Sequence, residues 1–318
     1  MKSSNHCSQE FCNFPDTSCH LGEPAGCAHY KASASSDEGS QLSAIDGLRL
    51  AWTGLAMGHT DVAYVVGRQK PFVVGIFGPE NAGKTSLLGA WYLLIGKGLL
   101  SSIGWAFAGS RSIEGWEGVA SGLRWVDAQR PPKFPAHTSS RSGRSPGLLH
   151  LTLQDNMSSK RNFLFTDAPG EWFTHWTNNV DSSEAAGARW VAENSDVLLI
   201  AADSEALGGA NKGIARHELQ SLISRVAGIR NKRPVALVWM KSDINVTDAM
   251  RSSISGVARM RIPDIQEFDV NVVDGHEVLS ETGLFRLLRW VLNSRRRKAA
   301  LPPIEGFSDD PLFLFGSR

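Results

Sequence analysis

The chain has 318 residues, 42% of them hydrophobic, which is enough for one large or two modest domains with a sizeable core. Its 33 basic and 32 acidic residues give a net charge of +1, so no overall field directs it to nucleic acid or to an anionic membrane. No apolar stretch approaches the length that spans a bilayer, and the opening MKSSNHCSQE lacks the hydrophobic core of an export signal. We therefore expect a cytoplasmic protein with neither nucleic acid nor membrane as a partner.

Cysteine is confined to the start of the chain. Residues 1–31 are too few to fold without a staple, and in a reducing compartment clustered cysteines are more typical of a metal site than of disulfides. Four thiolates would hold structural Zn²⁺ in tetrahedral geometry. The spacing is looser than in C-x2-C pairs, one of three nearby histidines can replace a thiolate, and four free thiols remain an alternative. The predicted zinc ligands are Cys7, Cys12, Cys19 and Cys27.

Three further segments follow. Residues 32–69 read as a polar linker and a helical collar, in which Thr60 caps a short helix that runs to Arg68. In residues 70–298 apolar strands alternate with amphipathic helices, which predicts an α/β fold: a doubly wound, mostly parallel sheet with helices on both faces. Residues 299–318 form an irregular C-terminal tail. Strands are predicted at 71–77, 148–155, 162–167, 196–203, 234–240 and 267–273, and helices at 83–96, 182–194, 213–231 and 282–297.

The turn after the first of these strands, GPENAGKT, fits the pattern G-x-x-x-x-G-K-[ST]. Glycines let successive backbone N–H groups curl around a phosphate, and the following helix adds its positive end. Lys84 would then reach the β- and γ-phosphates, and the Thr85 hydroxyl would bind Mg²⁺. A plain turn is the alternative, but the strand before and the helix after favour phosphate binding. The predicted nucleotide-binding residues here are Gly78, Asn81, Ala82, Gly83, Lys84, Thr85 and Ser86.

A second motif, DAPG, follows the strand NFLFTD. Asp167 at the strand end can hold Mg²⁺ through water, and the N–H of Gly170 can reach the γ-phosphate and sense its loss. Asp-Ala-Pro-Gly is also good chemistry for an ordinary turn. Its position after the phosphate loop, on an apolar strand, favours the functional interpretation.

A third motif, MKSD, ends the strand PVALVWM. The carboxylate of Asp243 can accept two hydrogen bonds from the N1–H and 2-amino groups of guanine, a donor pair that adenine lacks. The aliphatic stem of Lys241 can lie across the base plane. Alone, K-x-D also fits a solvated strand end. Its position after the phosphate loop and DAPG is what favours a role in binding the base.

The series GPENAGKT, DAPG and MKSD resembles the TRAFAC class of P-loop GTPases, and is most similar to the bacterial double-GTPase-like proteins of predicted conflict and defence systems. The resemblance runs over most of the chain, including the cysteine-rich start. It implies a P-loop sheet that binds GTP and Mg²⁺ and hydrolyses GTP as a molecular switch, beside a small metal-binding module. It also implies a protein effector near the switch loops, where Trp172 and Trp176 flank DAPG.

Two positions depart from this family pattern. Met240 stands where Asn or Thr usually braces the phosphate loop, which weakens the prediction of guanine specificity. Glu171 stands where Gln or His usually orients water, and a carboxylate there is repelled by γ-phosphate, so intrinsic hydrolysis would be slow. Thr138 is the candidate that closes on Mg²⁺, with an ordinary loop threonine as the equal alternative. The predicted catalytic residues are Lys84, Thr138, Asp167, Gly170 and Glu171.

Two other functions stay open. Glu171 and Met240 would suit a nucleotide-dependent protein-binding module with little hydrolysis. A P-loop ATPase or kinase would use the phosphate loop and Asp167, but it leaves the K-x-D motif without a purpose.

Overall fold

A computed structural model describes residues 6–7, 30–31, 56–67, 69–124, 147–272 and 282–296. The chain divides into two compact units, residues 1–50 and 51–318. In the first unit, strand β1 (His6–Cys7) pairs antiparallel with strand β2 (Tyr30–Lys31), which sets Cys7 opposite Tyr30. The predicted zinc ligands Cys12, Cys19 and Cys27 lie outside the described residues.

The second unit is built on a seven-stranded sheet. Its strands are β3 (Phe72–Phe77), β4 (Trp105–Gly109), β5 (Gly147–Asp155), β6 (Lys160–Asp167), β7 (Val197–Asp203), β8 (Val235–Met240) and β9 (Gln266–Val270). They are arranged in the order β4-β5-β6-β3-β7-β8-β9. From β6 to β9 every neighbouring pair is parallel, whereas β5 runs antiparallel to β6 and β4 antiparallel to β5. The α/β sheet is therefore mixed, with a mostly parallel centre.

Strands β3, β7 and β8 are buried along their whole length, because helices cover both faces of the sheet. The helices are α1 (Ala63–Val66), α2 (Lys84–Gly96), α3 (Ile113–Ser121), α4 (Gly170–Asn178), α5 (Ala186–Asn194), α6 (Ser204–Gly208), α7 (Lys212–Ile229), α8 (Asp248–Arg261) and α9 (Gly283–Asn293). One core cluster joins the sheet to α2, α3 and α9. Another joins it to α4, α5, α7 and α8. No helix among the described residues is long and apolar enough to cross a membrane.

The closing helix α9 illustrates how sequence fixes an element. The Thr282 side chain accepts a hydrogen bond from the Phe285 N–H and so caps the helix start. Apolar side chains at i, i+3, i+4 and i+7 spacing then form one buried face, from Leu284 to Leu292. At its end, Arg161 donates to the carbonyls of Leu292 and Ser294, which ties the helix terminus to strand β6.

Some local predictions were wrong. Thr60 does not cap the collar helix: it lies inside a 3-10 turn, His59–Val62, whose N-cap is Gly58, and α1 ends at Val66. The last strand ends at Val270 rather than at residue 273. Helices α3, α4, α6 and α8 and strand β4 were not predicted at all.

Because the central strands are parallel, their carboxyl ends meet along one edge of the sheet. Phe77, Asp167, Asp203 and Met240 end four of these strands. The loops that leave this edge form the candidate functional site.

Candidate functional site

The loop between β3 and α2 has the backbone of a phosphate-binding turn. Gly83 adopts a left-handed conformation with φ 81° and ψ 18°, which glycine reaches without steric cost, and Asn81 has φ 63°. Helix α2 starts at Lys84, and its first backbone hydrogen bond runs from the Leu87 N–H to the Gly83 carbonyl at 2.9 Å. Amides of the first turn have no acceptor within the helix, so they are available to an anion.

Lys84 is held beneath this loop. Its side chain is buried, and Nζ donates to the carbonyls of Gly78 at 3.0 Å and Pro79 at 2.7 Å. Burial lowers the pKa of Lys84 to about 8, against the opposing attraction of Asp167, Glu80 and Asp203. A cation in such a poorly solvated place is a strong electrostatic partner for a phosphate.

Thr85 and Asp167 meet beside Lys84. The Thr85 hydroxyl donates to Oδ1 of Asp167 at 2.8 Å. The preceding Thr166 accepts a hydrogen bond from the Ile76 N–H at 3.1 Å, which fixes the end of β6 against β3. A hydroxyl and a carboxylate are hard oxygen ligands of the kind that Mg²⁺ takes along with water and phosphate oxygens. These two residues therefore fit a magnesium ion.

Gly170 begins α4 directly against the phosphate loop. A Cβ atom at Gly170 would lie 2.1 Å from the Glu80 amide nitrogen and 2.4 Å from the Pro79 carbonyl carbon, so only glycine allows this approach. Its N–H belongs to the first turn of α4 and has no intrahelical acceptor. The neighbouring Glu171 is exposed. Phe173, one turn into the same helix, has its ring centroid 6.0 Å from Lys84 Nζ.

The K-x-D motif lies at the end of β8, with Met240 reaching the phosphate loop. A Cβ atom at Gly83 would meet Met240 Cε at 3.2 Å, so the thioether lies where a polar brace was expected. Lys241 has φ 54°, and its ammonium pairs with Asp203 and Glu205. Burial alone would lower the pKa of Lys241, but the hydrogen bonds and charges of Glu205 and Asp203 outweigh it and raise the pKa. Asp243 is exposed.

The two tryptophans beside DAPG are buried in this conformation. Trp172 is 7% exposed and Trp176 is 2% exposed. A Cβ atom at Gly187 would lie 2.2 Å from the Trp172 ring, so this indole packs directly on the backbone of α5.

The structure thus brings most of the predicted residues to one edge of the sheet. Thr138 lies outside the described residues, and within the described ranges no group of three or more His, Cys, Asp or Glu could hold a metal ion. Sequence reasoning missed Asp203 and Glu205. The available signal was that Asp203 ends the apolar strand DVLLIAAD in the same way that Asp167 ends NFLFTD. The residues around the phosphate loop are Gly78, Asn81, Ala82, Gly83, Lys84, Thr85, Ser86, Asp167 and Gly170, with Lys241 and Asp243 at the end of β8.

A glycine-rich loop between a buried parallel strand and a helix, with a lysine beneath it and a strand-end aspartate beside it, defines the P-loop class of nucleotide-binding domains. The family model described as Double-GTPase 2 matches residues 72–291, more than half of the chain. The chain therefore belongs to the Double-GTPase 2 family.

Other comparisons are more distant. One solved structure similar to this chain is the GTPase-like domain of Ski7 from S. cerevisiae, bound to GTP, with 14% sequence identity and a TM-score of 0.35. The similarity covers 71% of this chain and 51% of that one, so the chain spans about half the length of the matched structure. No curated protein matches the sequence.

Proposed function

We propose that this protein binds GTP with Mg²⁺ at the loop that follows β3 and hydrolyses it as a molecular switch. The observation that carries the proposal is the meeting of three elements at one point. Gly170 packs on the phosphate loop, the Thr85 hydroxyl donates to Asp167, and the buried Lys84 ammonium donates to the loop carbonyls of Gly78 and Pro79. Membership of the Double-GTPase 2 family supports the same proposal.

Each group has a distinct role in the proposed reaction. Lys84 would neutralise charge on the β- and γ-phosphates, and Thr85 and Asp167 would hold Mg²⁺, whose positive charge would offset the negative charge of the phosphates. Gly170 would donate its N–H to the γ-phosphate, and Thr138 is the proposed further ligand of Mg²⁺. Catalysis of this kind consists of positioning and charge stabilisation, because phosphoryl transfer needs little covalent help from the protein.

Lys241 and Asp243 are proposed to recognise guanine. Calorimetry with GTP and ATP side by side tests this selectivity, and equal or tighter binding of ATP would refute it. Asp243→Asn should weaken GTP binding and improve binding of xanthosine triphosphate, because the amide N–H group would face the 2-amino donor of guanine but could donate to the 2-oxo group of xanthine. An unchanged preference would remove Asp243 from the site.

A nucleotide-dependent binding module with little hydrolysis is the second candidate. Exposed Glu171, next to Gly170, is the observation that favours it, since a carboxylate near the γ-phosphate neither orients water well nor tolerates the phosphate charge. Single-turnover hydrolysis separates the two candidates. Turnover within minutes in the absence of any partner would eliminate the binding module.

The proposed switch element is α4. Loss of γ-phosphate would leave the Gly170 N–H without its proposed acceptor, and a resulting shift of α4 would change the packing of Trp172 on α5. An effector protein that reads this surface, and a role in bacterial conflict or defence, are part of the proposal and rest on family likeness. Tryptophan fluorescence that is identical with GTP and with GDP would contradict the movement.

Structural zinc in residues 1–31 is proposed from the four cysteines. Elemental analysis of protein purified under reducing conditions tests it, with one zinc per chain as the expected result. A stoichiometry near zero would refute the tetrathiolate site, and the proposed nucleotide site would be unaffected.

A further inference from the structure

Asp203, the last residue of β7, lies between the two lysines of the nucleotide motifs. It is 7% exposed, and its Oδ1 accepts a hydrogen bond from the Glu205 N–H at 3.0 Å, which caps helix α6. Both carboxylate oxygens also lie close to Lys241 Nζ, at 3.0 Å and 3.1 Å. Its negative charge further stabilises the ammonium of Lys84. One buried carboxylate is thus shared by the phosphate-binding and base-binding sides of the site.

The side chain at position 240 gives no polar support to the K-x-D loop, which starts at Lys241. Met240 is buried and pairs with Asp203 across β7 and β8. Its thioether can fill space beside Gly83, but it is only a weak hydrogen-bond acceptor and donates nothing. Lys241 follows in a left-handed conformation, which is uncommon for a residue with a side chain. The buried ion pair with Asp203 therefore anchors the start of this loop, together with the backbone hydrogen bond from the Ser242 N–H to the Val270 carbonyl at 3.1 Å.

Glu205 also pairs with Lys241, at 2.7 Å, but its side chain is 67% exposed. An exposed ion pair is screened by water and salt and stabilises a given geometry weakly. Asp203 differs because it is buried and is already oriented by the Glu205 N–H. The two acids thus offer a matched comparison on one lysine.

We propose that Asp203 is a positioning residue for guanine selectivity: it holds Lys241 at the end of β8 and so orients the K-x-D loop in place of the brace that Met240 cannot supply. This rests on the proposed function, since it concerns the same base site. It predicts that removing the charge of Asp203 lowers affinity for GTP more than affinity for ATP.

The test uses Asp203→Asn in the full chain. Asparagine has the same shape and is a good N-cap, so α6 should keep its start and the variant should fold. Dissociation constants for GTP and ATP are measured for wild type, D203N and E205Q, together with melting temperatures. We expect the ATP-to-GTP ratio of dissociation constants to fall ~10-fold or more in D203N, and only ~2-fold in E205Q.

A double-mutant cycle with Lys241→Met separates positioning from a general loss of structure. If Asp203 acts through Lys241, D203N should add less than ~2-fold to the loss of selectivity already caused by K241M. The double variant also removes the lysine that has lost its buried partner, so it provides a folded reference if D203N alone melts at low temperature.

The outcomes distinguish the inference from the function on which it rests. A wild-type protein that fails to prefer GTP refutes guanine recognition, and the inference falls with it. A wild-type protein that prefers GTP, with D203N keeping the same ratio, refutes the positioning role alone. Additive losses in D203N and K241M would also overturn it, whatever the change in melting temperature.

Discussion

The α-carbon of Gly170 lies so close to Glu80 that a methyl group on it would approach the Glu80 amide nitrogen to 2.1 Å. Both partners in this contact are backbone, at the first turn of α4 and in the phosphate loop. Backbone atoms cannot relieve a close contact by a change of rotamer, as a side chain can. The start of α4 and the phosphate loop therefore fix one another's position, and a γ-phosphate in the loop would find the Gly170 amide close by.

Gly170→Ala should consequently uncouple α4 from the phosphate loop. We expect affinity for GTP to fall ~10-fold or more and affinity for GDP to change less than ~3-fold, because only GTP carries the γ-phosphate that this amide would bind. The measurement is calorimetry with each nucleotide in the presence of Mg²⁺.

Gly118→Ala provides the matched control. Gly118 lies within α3, and a Cβ atom there meets nothing within 4 Å. Alanine should stabilise that helix by about 0.5–1 kcal/mol and leave nucleotide binding unchanged. Equal losses of GTP and GDP affinity in G170A would contradict the assignment of this amide to the γ-phosphate.

Lys84 makes nucleotide binding dependent on pH. Burial lowers its pKa from 10.5 to about 8, so above pH 8 a growing fraction of the nucleotide-free protein carries a neutral amine there. A bound triphosphate favours the ammonium, and binding at about pH 8.5 should therefore take up roughly three-quarters of a proton per site. Calorimetry in buffers with different ionisation enthalpies measures this uptake directly.

The uptake should disappear at about pH 6.5, where Lys84 is protonated before binding. Lys84→Arg gives a second control, because a guanidinium remains charged throughout this range. The same shift affects folding stability. Because the pKa of Lys84 is lowered in the folded state, burial of its ammonium lowers the free energy of unfolding in full below pH 8, and this loss is relieved as pH rises toward 10.5. If proton uptake on binding were the same at both pH values, or persisted in K84R, the proton would be taken up by a group other than Lys84.

Much of the phosphate side of this site could be predicted from sequence because its groups are contiguous. Gly78 to Thr85 form one turn, and the flanking strand and helix are strongly apolar. The strand alternation likewise predicted the parallel centre of the sheet. The tie between Asp203 and Lys241 spans 38 positions and depends on β7 and β8 being neighbours in a given register. No local pattern specifies that register.

The missed helices have equally physical reasons. Helix α8 is rich in Ser and Arg, and its core-facing residues Met250, Ile254 and Ala258 are spaced one turn apart among polar ones. The cap by Thr247 was the available signal. Helix α4 begins at Gly170, the last residue of Asp-Ala-Pro-Gly. These four residues are typical of a turn, so their sequence did not indicate the start of a helix.

Met240→Asn should strengthen the phosphate loop at a cost in stability. An amide beside Gly83 can hydrogen-bond the loop backbone, as the resemblance to other P-loop GTPases implies, and one such bond corresponds to a ~3- to 10-fold gain in GTP affinity. The buried thioether is lost, which should lower the free energy of unfolding by about 2 kcal/mol.

Met240→Leu is the control because it keeps the volume and adds no polar group. It should change neither GTP affinity nor stability by much. A gain in affinity of the same size in both variants would show that space beside Gly83, and not a hydrogen bond, limits binding.

His150 should set the acid limit of the fold. Its Nδ1 accepts a hydrogen bond from the Arg111 N–H at 2.9 Å, and its Nε2 lies 3.2 Å from Asn162 Oδ1, so the ring is neutral with the proton on Nε2. Burial lowers the pKa of His150 to about 4, from 6.5, while the bond to Asn162 opposes the change. Protonation at Nδ1 would break the bond to Arg111, which joins β5 to the segment before α3.

Because the unfolded chain takes up the proton first, stability is fully present above pH 6.5 and is lost as pH falls toward 4. The loss from this one group should be on the order of 3 kcal/mol. Denaturant unfolding at a series of pH values measures it. His150→Asn keeps an acceptor near the position of Nδ1 but does not titrate, so it should be less stable than wild type at neutral pH and show a flatter profile between pH 4 and 6.5. Parallel profiles for the two proteins would mean that carboxylates, not His150, govern acid unfolding.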